Sequence, residues 1–372
     1  MPKILFIASH RPRRSPSQRF RFEQYLDFLK SKGFEYDYSY LISEDDDRMF
    51  YQPGNLRRKI YFFIKSVWKR WKDVRRMNNY DIIFVQREAF MTGSVYFEKR
   101  FGLSRAKLVF DFDDAIWHLD VSEGNRRFGW LKKPGKTASI IALSDLVIAG
   151  NGYLQHYARQ FNDKVLLIPT TVDTSRFMPS AHETKQEGIC IGWSGSHTTI
   201  KHFENAIPFL LKLKKKFGDR IRFKVIGDPD YSFPELNIQG IAWTEVGEIK
   251  ELSDLDVGIM PLPDDEWTKG KCGLKGLSYM SLEIPAVMSS VGVNTEIIQD
   301  GVNGFLASTE EEWIEKLSKL IESPELRKQL GAAGRKTVVE KYSVQSQEQI
   351  YLQAFTDLIG QVKSGVRIGR TK

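Results

Sequence analysis

The sequence predicts an α/β fold of two doubly wound domains that follow one another along the chain. With 372 residues the chain is too long for one ordinary core and suits two. Short apolar runs that are typical of buried parallel strands recur along it, and helical patterns separate most of them. Between the two series of strands, residues 180–188 are polar and carry no apolar period, which indicates a linker.

The first series begins at the N-terminus. Residues 4–8 form a short apolar run, and the polar loop after it contains proline and serine. A helical pattern follows and ends before Gly33. The further strand candidates are residues 82–86, 108–112, 146–149 and 165–168. This alternation favours right-handed βαβ units in a parallel sheet.

The second series lies beyond the linker. Its strand candidates are residues 189–193, 223–226, 257–260 and 286–289, and its clearest helix candidates are residues 203–217 and 274–282. From Glu310 onward the pattern is helical, with Thr309 as a predicted N-cap and Ser323-Pro324 opening another helix. We therefore expect a first domain over residues 1–178, a second over 179–345, and a C-terminal helix within 346–372 that packs back on the first domain before a tail.

Charge and cysteine content narrow the function classes. The formal net charge is +8 and the isoelectric point is about 9.2, so an anionic partner is expected: nucleic acid, a membrane surface or a phosphorylated small molecule. The two cysteines, Cys190 and Cys272, form no C-x-x-C pair, and the six histidines lack ligand spacing, which argues against a zinc site or disulfide framework. The N-terminus does not resemble a signal peptide, and no run of 18 apolar residues occurs. A protein that is soluble or lies on a membrane is expected.

The loop after residues 189–193 carries Gly195, Ser196 and Lys201. Small residues at a helix start leave backbone N–H groups open, and a lysine adds a cation, so this segment has the composition of a phosphate-binding loop. A plain capped turn is the alternative.

Two further loops have the same character. Lys271 and Lys275, after residues 257–260, share one face at the start of a helix, where cations oppose the macrodipole unless an anion binds. After residues 286–289, Gly292 precedes a helix that starts at Asn294 or Thr295, a second place for a phosphate. A solvated loop is the alternative for the lysines. Because the carboxyl ends of parallel strands meet at one sheet edge, we expect all three loops to lie together.

These residues carry a family resemblance. Residues 271–287, KCGLKGLSYMSLEIPAV, resemble the donor-binding helix and strand of retaining GT-B glycosyltransferases of family 4, the glycosyl transferases group 1. Residues 291–306 resemble the "VGG-PE-I-DG-NG" run of that family, and residues 168–179 its "IPNGVD---F-P" segment. The resemblance implies two Rossmann-like domains facing a cleft, with C-terminal helices. It also implies transfer of a sugar from a nucleotide-diphosphate sugar with retention of configuration, without metal or cofactor.

The resemblance also implies residue roles. The family's Gly-Arg…Lys grip on the donor diphosphate falls on Gly195, Ser196 and Lys201, with serine in place of arginine. The family's glutamates seven residues apart correspond to positions near Gly270 and Ser278, where neither is present, which marks this chain as a divergent subgroup. The donor-loop glutamate is kept as Glu296.

The expected site divides into two sets. The expected catalytic residues are Lys201 and Glu296, whose roles the resemblance implies, and Lys271, which the charge of its loop suggests. The expected donor-binding residues are Gly195, Ser196, Glu266, Lys275, Gly292, Val293, Asn294 and Thr295. Glu266, Lys271 and Lys275 are the candidates to compensate for the missing glutamates, and the amides of residues 293–296 are expected to meet the sugar or its phosphate.

The first domain is expected to hold the acceptor. Arg13 and Arg14 follow the first strand and could bind a phosphate, with a solvated basic loop as the alternative. Asp113 and Asp114 belong to a segment that resembles the "D-DDA-W" segment of some family-4 transferases, where it lines the acceptor side. They are candidates to bind an acceptor hydroxyl, with a magnesium site or a helix cap as alternatives.

Residues 57–76 form a basic segment with nine Lys or Arg and one acidic residue, Asp73. Tyr61, Trp68 and Trp71 are interleaved with the charges. Basic amphipathic helices with aromatic residues bind anionic membrane surfaces, which would suit a lipid-linked acceptor. In the alternative arrangement the aromatics pack on the sheet and the charges are solvated.

The function expected is transfer of a sugar to a glycan or lipid-linked acceptor in cell-surface polysaccharide synthesis, in the cytoplasm and peripherally at the inner face of the membrane. The alternative is a nucleic-acid-binding or anionic-membrane-binding protein that uses residues 57–76. No nucleic-acid motif is present, so no nucleic-acid partner is expected. A hydrolase with a carboxylate pair is a competing idea. A dehydrogenase is disfavoured because no G-x-G-x-x-G follows the first strand.

Overall fold

The computed structural model describes residues 1–50, 55–118, 133, 135–179 and 187–360. The chain divides into two compact units, which we call unit 1 (Met1–Pro169 with Glu348–Lys372) and unit 2 (Thr170–Gln347). Most of the expected linker and the expected C-terminal tail lie outside the described residues.

Unit 1 contains a six-stranded, all-parallel sheet in the order β2-β1-β3-β4-β5-β6. The inner strands are almost continuous apolar runs, as expected when helices cover both faces of a parallel sheet. The strands are β1 (Lys3–His10), β2 (Glu35–Ile42), β3 (Ile82–Gln86), β4 (Lys107–Phe112), β5 (Leu146–Ala149) and β6 (Val165–Leu167).

The helices of unit 1 connect these strands. They are α1 (Pro16–Arg19), α2 (Leu26–Ser31), α3 (Glu44–Phe50), α4 (Leu56–Arg76), α5 (Tyr96–Gly102), α6 (Gly135–Leu143) and α7 (Gly152–Arg159). Gly33, two residues after α2, has a φ of 87° and allows the chain to turn into β2.

Unit 2 contains a five-stranded parallel sheet in the order β13-β12-β11-β7-β8 and a short antiparallel ribbon of β9 and β10. The strands are β7 (Ile189–Ser194), β8 (Ile221–Ile226), β9 (Ser232–Phe233), β10 (Ile238–Gln239), β11 (Val257–Met260), β12 (Ala286–Ser289) and β13 (Phe305–Ala307). Its core is built on Trp193, Phe209 and Trp313, with the last two rings stacked at 4.8 Å.

The helices of unit 2 are α8 (Ile200–Glu204), α9 (Ile207–Phe217), α10 (Glu248–Ser253), α11 (Glu266–Lys269), α12 (Leu274–Ser281), α13 (Asn294–Ile297), α14 (Glu310–Glu322) and α15 (Pro324–Thr337). The predicted caps are confirmed, because Thr309 forms a capping box with Glu312 and Ser323 accepts from the amide of Leu326.

The last helix, α16 (Val344–Gly360), begins in unit 2 and belongs to unit 1 from Glu348 onward. Within unit 1, the Tyr351 hydroxyl donates to the carbonyl of Arg21 at 3.0 Å, and its ring lies 4.3 Å from that of Tyr25. Phe355 is fully buried beside Phe84. The helix therefore completes the core of unit 1.

Four predicted strands, at residues 82–86, 146–149, 257–260 and 286–289, match the structure to the residue, and the others agree within two residues. The prediction of one helix over residues 203–217 is wrong, because the chain breaks between α8 and α9. The edge strands β2 and β13 were not anticipated; β2 alternates polar residues with tyrosines, and β13 has only three residues. No helix among the described residues is long and apolar enough to cross a membrane.

Candidate functional site

The site begins at one edge of the sheet in unit 2. Strands β12, β11 and β7 are neighbours and run parallel, so their carboxyl ends lie side by side. In open α/β sheets this edge is where ligands bind. All three of the loops with phosphate-binding character follow these strands.

The loop after β7 is held against the rest of the sheet. The Ser194 amide donates to the Tyr279 hydroxyl of α12 at 2.9 Å, and the Gly195 amide donates to the Ile226 carbonyl at 2.9 Å. A Cβ on Gly195 would lie 2.3 Å from the ring of Trp193, so only glycine fits there. Ser196 forms a capping box with Thr199, which shows that this loop is also a capped turn.

The three lysines of the predicted site act on one buried side chain. His202 on α8 is only 5% exposed, and burial lowers its pKa to about 4, helped by the charges of Lys275, Lys271 and Lys201. Asp265 acts in the opposite direction. The structure therefore brings together Lys201, Lys271 and Lys275, which come from two separate loops, and we call these three residues the lysine cluster.

Aromatic rings support two members of the lysine cluster. The Lys275 Nζ lies 5.4 Å from the ring centroid of Trp193, and the Lys271 Nζ lies 5.0 Å from that of Trp267. Trp193 is fully buried, so its ring holds the ammonium group of Lys275 near the end of β7. Such contacts position the ammonium groups of both lysines at this edge of the sheet.

His202 was missed by the sequence reasoning, which found no ligand spacing among the histidines. Its Nδ1 is buried and has no hydrogen-bond partner among the residues that the structure describes. The only sequence signal is its position directly after Lys201. Burial and three nearby cations keep the ring neutral, so His202 adds no positive charge to that of the lysines.

The loop after β12 packs against the lysine-bearing segment. Gly292 has a φ of 53°, and a Cβ there would lie 2.8 Å from the carbonyl oxygen of Lys269. The amide group of Asn294, which is fully buried, donates to the Ser289 carbonyl at 2.9 Å. Ser289 in turn accepts from the Leu262 amide at 2.8 Å. The loops after β11 and β12 thus form one interlocked unit.

Three amides of this loop already have acceptors. Those of Asn294, Thr295 and Glu296 each donate to the carbonyl three residues before them, at 3.2, 3.2 and 2.9 Å. The side chains of Thr295 and Glu296 are exposed, whereas Val293 is buried. Partial burial raises the pKa of the Glu296 carboxyl. The loop therefore exposes the side chains of Thr295 and Glu296, whereas the amides of residues 294–296 are already hydrogen-bonded within the turn.

Glu266 lies at the first position of α11, where its carboxylate accepts from Lys269 at 2.8 Å. Its side chain is 60% exposed. Asp265 caps the same helix through the Thr268 amide. The structure therefore places Glu266 in a surface ion pair next to the segment that leads to Lys271.

In unit 1, the predicted carboxylates meet an arginine that the sequence reasoning missed. Arg87, directly after β3, donates from Nε to Asp113 at 2.8 Å and from a terminal nitrogen to Asp114. The two carboxylates raise the pKa of the guanidinium against the effect of its burial. Arg87 has a φ of 61°, which a non-glycine residue rarely adopts, and its amide donates to the Asp111 carbonyl at 2.7 Å. The bonds to Asp111, Asp113 and Asp114 hold Arg87 in this strained left-handed conformation.

Asp111 has a different partner. It is fully buried with Arg21, whose Nε lies 3.2 Å from Oδ1, and Arg21 also donates to the Ile168 carbonyl at 2.6 Å. Together with Arg87, two arginines therefore organise the acidic run, an arrangement that neither the magnesium nor the helix-cap alternative anticipated.

Arg13 and Arg14 differ in their surroundings. Arg14 pairs with Asp47, whereas Arg13 is exposed, has a φ of 67°, and donates from its amide to Glu23 at 2.8 Å. Burial lowers the pKa of His10 to about 4; Asp47 counteracts this, while the charges of Arg14 and Arg87 add to it. His10, at the end of β1, is thus close enough to both Arg14 and Arg87 for their charges to act on it.

Comparison with known proteins gives the family context. Residues 189–323 match the family model for glycosyl transferases group 1. The putative glycosyltransferase EpsD of Bacillus subtilis is 29% identical over 126 residues, which span 32% of this chain and 31% of that protein. The expected resemblance to glycosyl transferases group 1 is therefore confirmed over the sheet that carries the lysine cluster.

Solved structures match nearly the whole chain. A sucrose-phosphate synthase from Thermosynechococcus elongatus superposes with a TM-score of 0.70 at 15% identity and covers 97% of this chain and 100% of its own. A glycosyltransferase from Rickettsia africae gives 0.68 at 13%, covering 98% and 99%. Anabaena HepE, solved in complex with UDP and glucose, gives 0.64 at 14%, covering 96% and 99%. These matches confirm the predicted fold class of two Rossmann-like domains, as in GT-B glycosyltransferases, with C-terminal helices.

Proposed function

We propose that this chain is a retaining glycosyltransferase of family 4, in a divergent subgroup, which takes its sugar from a nucleotide-diphosphate sugar. The observation that carries the proposal is the lysine cluster around His202, at the carboxyl edge of the sheet that matches glycosyl transferases group 1. A diphosphate is the polyanion that suits three lysines from two adjacent loops. The complex of Anabaena HepE with UDP and glucose supports the same class of donor.

In this proposal the lysine cluster stabilises the leaving nucleoside diphosphate. Negative charge grows on the diphosphate as the sugar departs, and fixed ammonium groups stabilise that charge without reorganising. Glu296 and Thr295 would contact the sugar from the loop after β12. Neither a protein nucleophile nor a bound metal is required when the leaving phosphate itself accepts the proton of the acceptor hydroxyl.

We propose a glycan or a lipid-linked sugar as the acceptor, in cell-surface polysaccharide synthesis. Asp113 and Asp114 carry the acceptor role, with Arg87 as the residue that positions both carboxylates. Arg13, which is exposed, is suited to a phosphate on the acceptor. The matches to glycosyltransferases do not favour the alternative in which nucleic-acid or membrane binding is the function of the whole chain.

The first prediction concerns nucleotide binding. We expect titration calorimetry to detect binding of UDP or GDP to the wild type. Lys201→Ala and Lys271→Ala should each weaken this binding about 10- to 100-fold, because a charged hydrogen bond contributes roughly 1.5–3 kcal/mol. Lys215→Ala, an exposed lysine on α9, is the matched control and should bind as the wild type does. Equal affinities for all four proteins would remove the lysine cluster from the site.

The second prediction concerns the reaction. A set of nucleotide sugars, assayed by release of the nucleoside diphosphate, should identify one donor whose turnover Lys271→Ala reduces severely. The anomeric proton coupling of the product, measured by NMR, should show the configuration of the donor. A product of inverted configuration would refute the retaining mechanism but would not contradict the proposed donor site.

A further inference from the structure

Helix α4, the basic segment of the sequence, is attached to unit 1 by one face. Phe62, Ser66, Arg70, Asp73 and Val74 are its buried residues. Arg70 is fully buried and donates to the Ala8 carbonyl at 2.7 Å, to the Ala89 carbonyl at 2.6 Å and to Asp73. These bonds to strands and loops of unit 1 fix the rotation of the helix about its axis.

The opposite face of α4 is also apolar, and it is exposed. We call Ile60, Tyr61, Ile64, Trp68 and Trp71 the outer stripe; their exposed fractions are 51%, 69%, 62%, 58% and 39%. At about 100° per residue, these five positions fall within a sector of roughly 100° that points away from the buried face. Surface helices of globular proteins usually carry polar residues there, so the outer stripe indicates a binding surface.

The charges around the outer stripe are positive. The Lys72 Nζ lies 3.4 Å from the ring centroid of Trp68, and Arg57 and Arg75 extend from the same side of the helix. The only acidic residue in the helix, Asp73, is buried and bonded to Arg70 and Arg76. The exposed face of α4 thus combines apolar side chains with Arg57, Lys72 and Arg75, which form no ion pair with any residue that the structure describes.

We propose that the outer stripe docks on an anionic lipid surface. Tryptophan and tyrosine are suited to the boundary between headgroups and acyl chains, and neighbouring lysines and arginines attract anionic headgroups. The charge pattern disfavours a second copy, because a symmetric contact would bring the basic helices of both copies together. Nucleic acid would use the basic residues and could stack on the aromatic rings, but it would leave the aliphatic side chains of Ile60 and Ile64 exposed to water.

This inference does not depend on the proposed reaction, because it rests on α4 alone. If both hold, a lipid-linked acceptor would be presented at the surface where unit 1 is bound. The acceptor of the proposed reaction would then be a molecule embedded in a membrane.

The test is sedimentation of the full chain with vesicles of phosphatidylcholine, with and without phosphatidylglycerol. We expect binding to the anionic vesicles only. Ile64→Gln/Trp68→Gln should abolish it, and Lys72→Ala/Arg75→Ala should lower the partition coefficient roughly five-fold per residue, or about 1 kcal/mol each. These side chains are exposed, and circular dichroism melting should confirm that the variants stay folded.

Two exposed residues on α9 supply matched controls. Leu211→Gln removes an apolar side chain that is 38% exposed, and Lys215→Ala removes a lysine. Both should pellet with anionic vesicles as the wild type does. Failure of the wild type to bind such vesicles, or equal binding by the outer-stripe variant, would overturn the proposal. A concentration-dependent dimer that this variant loses would assign the stripe to a second copy instead.

Discussion

Among single residues, His202 reports most directly on the state of the site. A histidine whose pKa is lowered to about 4 stays neutral at physiological pH, so it senses the charge of the lysine cluster without adding to it. A bound diphosphate would neutralise those lysines and let the pKa rise. The pKa of the ring therefore responds to its burial first and to the charges of the three lysines second.

The third prediction follows from this lowered pKa. Between pH 6.5 and about 4 the unfolded chain takes up a proton that the folded chain excludes, so the free energy of unfolding falls as the pH falls. The contribution of His202 to this fall is about 3 kcal/mol, from about 1.4 kcal/mol per pKa unit. Urea unfolding at several pH values should show a shallower dependence for His202→Asn than for the wild type. Parallel pH profiles would mean that His202 is not in this environment.

Arg87 shows at the same scale why part of the site escaped sequence reasoning. Arg87 can be recognised as a site residue only through its bonds to Asp113 and Asp114. These lie 26 and 27 residues further along the chain, after the neighbouring strand β4. A left-handed φ at an arginine has no compositional signal, unlike a glycine. The aspartates were predictable from the sequence, whereas their partner required the register of β3 and β4.

At the level of elements, the three loops of unit 2 form one surface because glycines allow their backbones to approach. Gly292 lies against the backbone of Lys269, and Gly273, with a φ of 70°, lies against the side chain of Ile297. The lysine-bearing segment can hold its position only while these approaches are kept.

The fourth prediction tests that packing. In Gly292→Ala the new Cβ would lie 2.8 Å from the Lys269 carbonyl, so the loop must move and nucleotide binding should weaken at least ten-fold. Gly301→Ala is the matched control, because its φ of 75° carries the same backbone strain of about 1 kcal/mol, while its Cβ meets only Phe305 at 4.0 Å. The control should lose some thermal stability and keep its affinity. Equal nucleotide affinities in both variants would contradict a role for this contact.

The elements were predictable where the apolar pattern was unambiguous. Buried strands such as β11 and β12 are uninterrupted apolar runs between turn residues, and their ends agree with the structure. Edge strand β2 was missed because its first half is only partly buried and tyrosines alternate there with polar residues. The predicted lysines do meet, because the order of parallel strands decides which loops are neighbours. The contact of Lys275 with the Trp193 ring and the hydrogen bond from Ser194 to Tyr279 could not be predicted, because they depend on tertiary structure.

For the molecule as a whole, the acidic run of unit 1 bears on whether the reaction needs a metal. Asp113 and Asp114 are bonded to Arg87, and Asp111 is bonded to Arg21. A cation at this place would have to displace an arginine from its carboxylate. Charge balance there is supplied by the protein.

The fifth prediction is that transfer by the full chain continues in EDTA. The lysine cluster, and no divalent ion, is proposed to stabilise the leaving diphosphate. Turnover with the identified donor should be unchanged after chelation and gel filtration. If activity were lost in EDTA and restored by magnesium, the proposal would be contradicted, and a magnesium site at Asp113 and Asp114 would be favoured instead.

The placement of α16 has a consequence for how the chain is made. Unit 2 is continuous from Thr170 to Gln347, whereas unit 1 needs Tyr351 and Phe355 to complete its core. A ribosome releases those two aromatic residues only after all of unit 2 has been synthesised. Unit 1 is therefore the first unit begun and the last one finished, and a chain that ends at residue 347 would contain all of unit 2 but would leave the core of unit 1 without Tyr351 and Phe355.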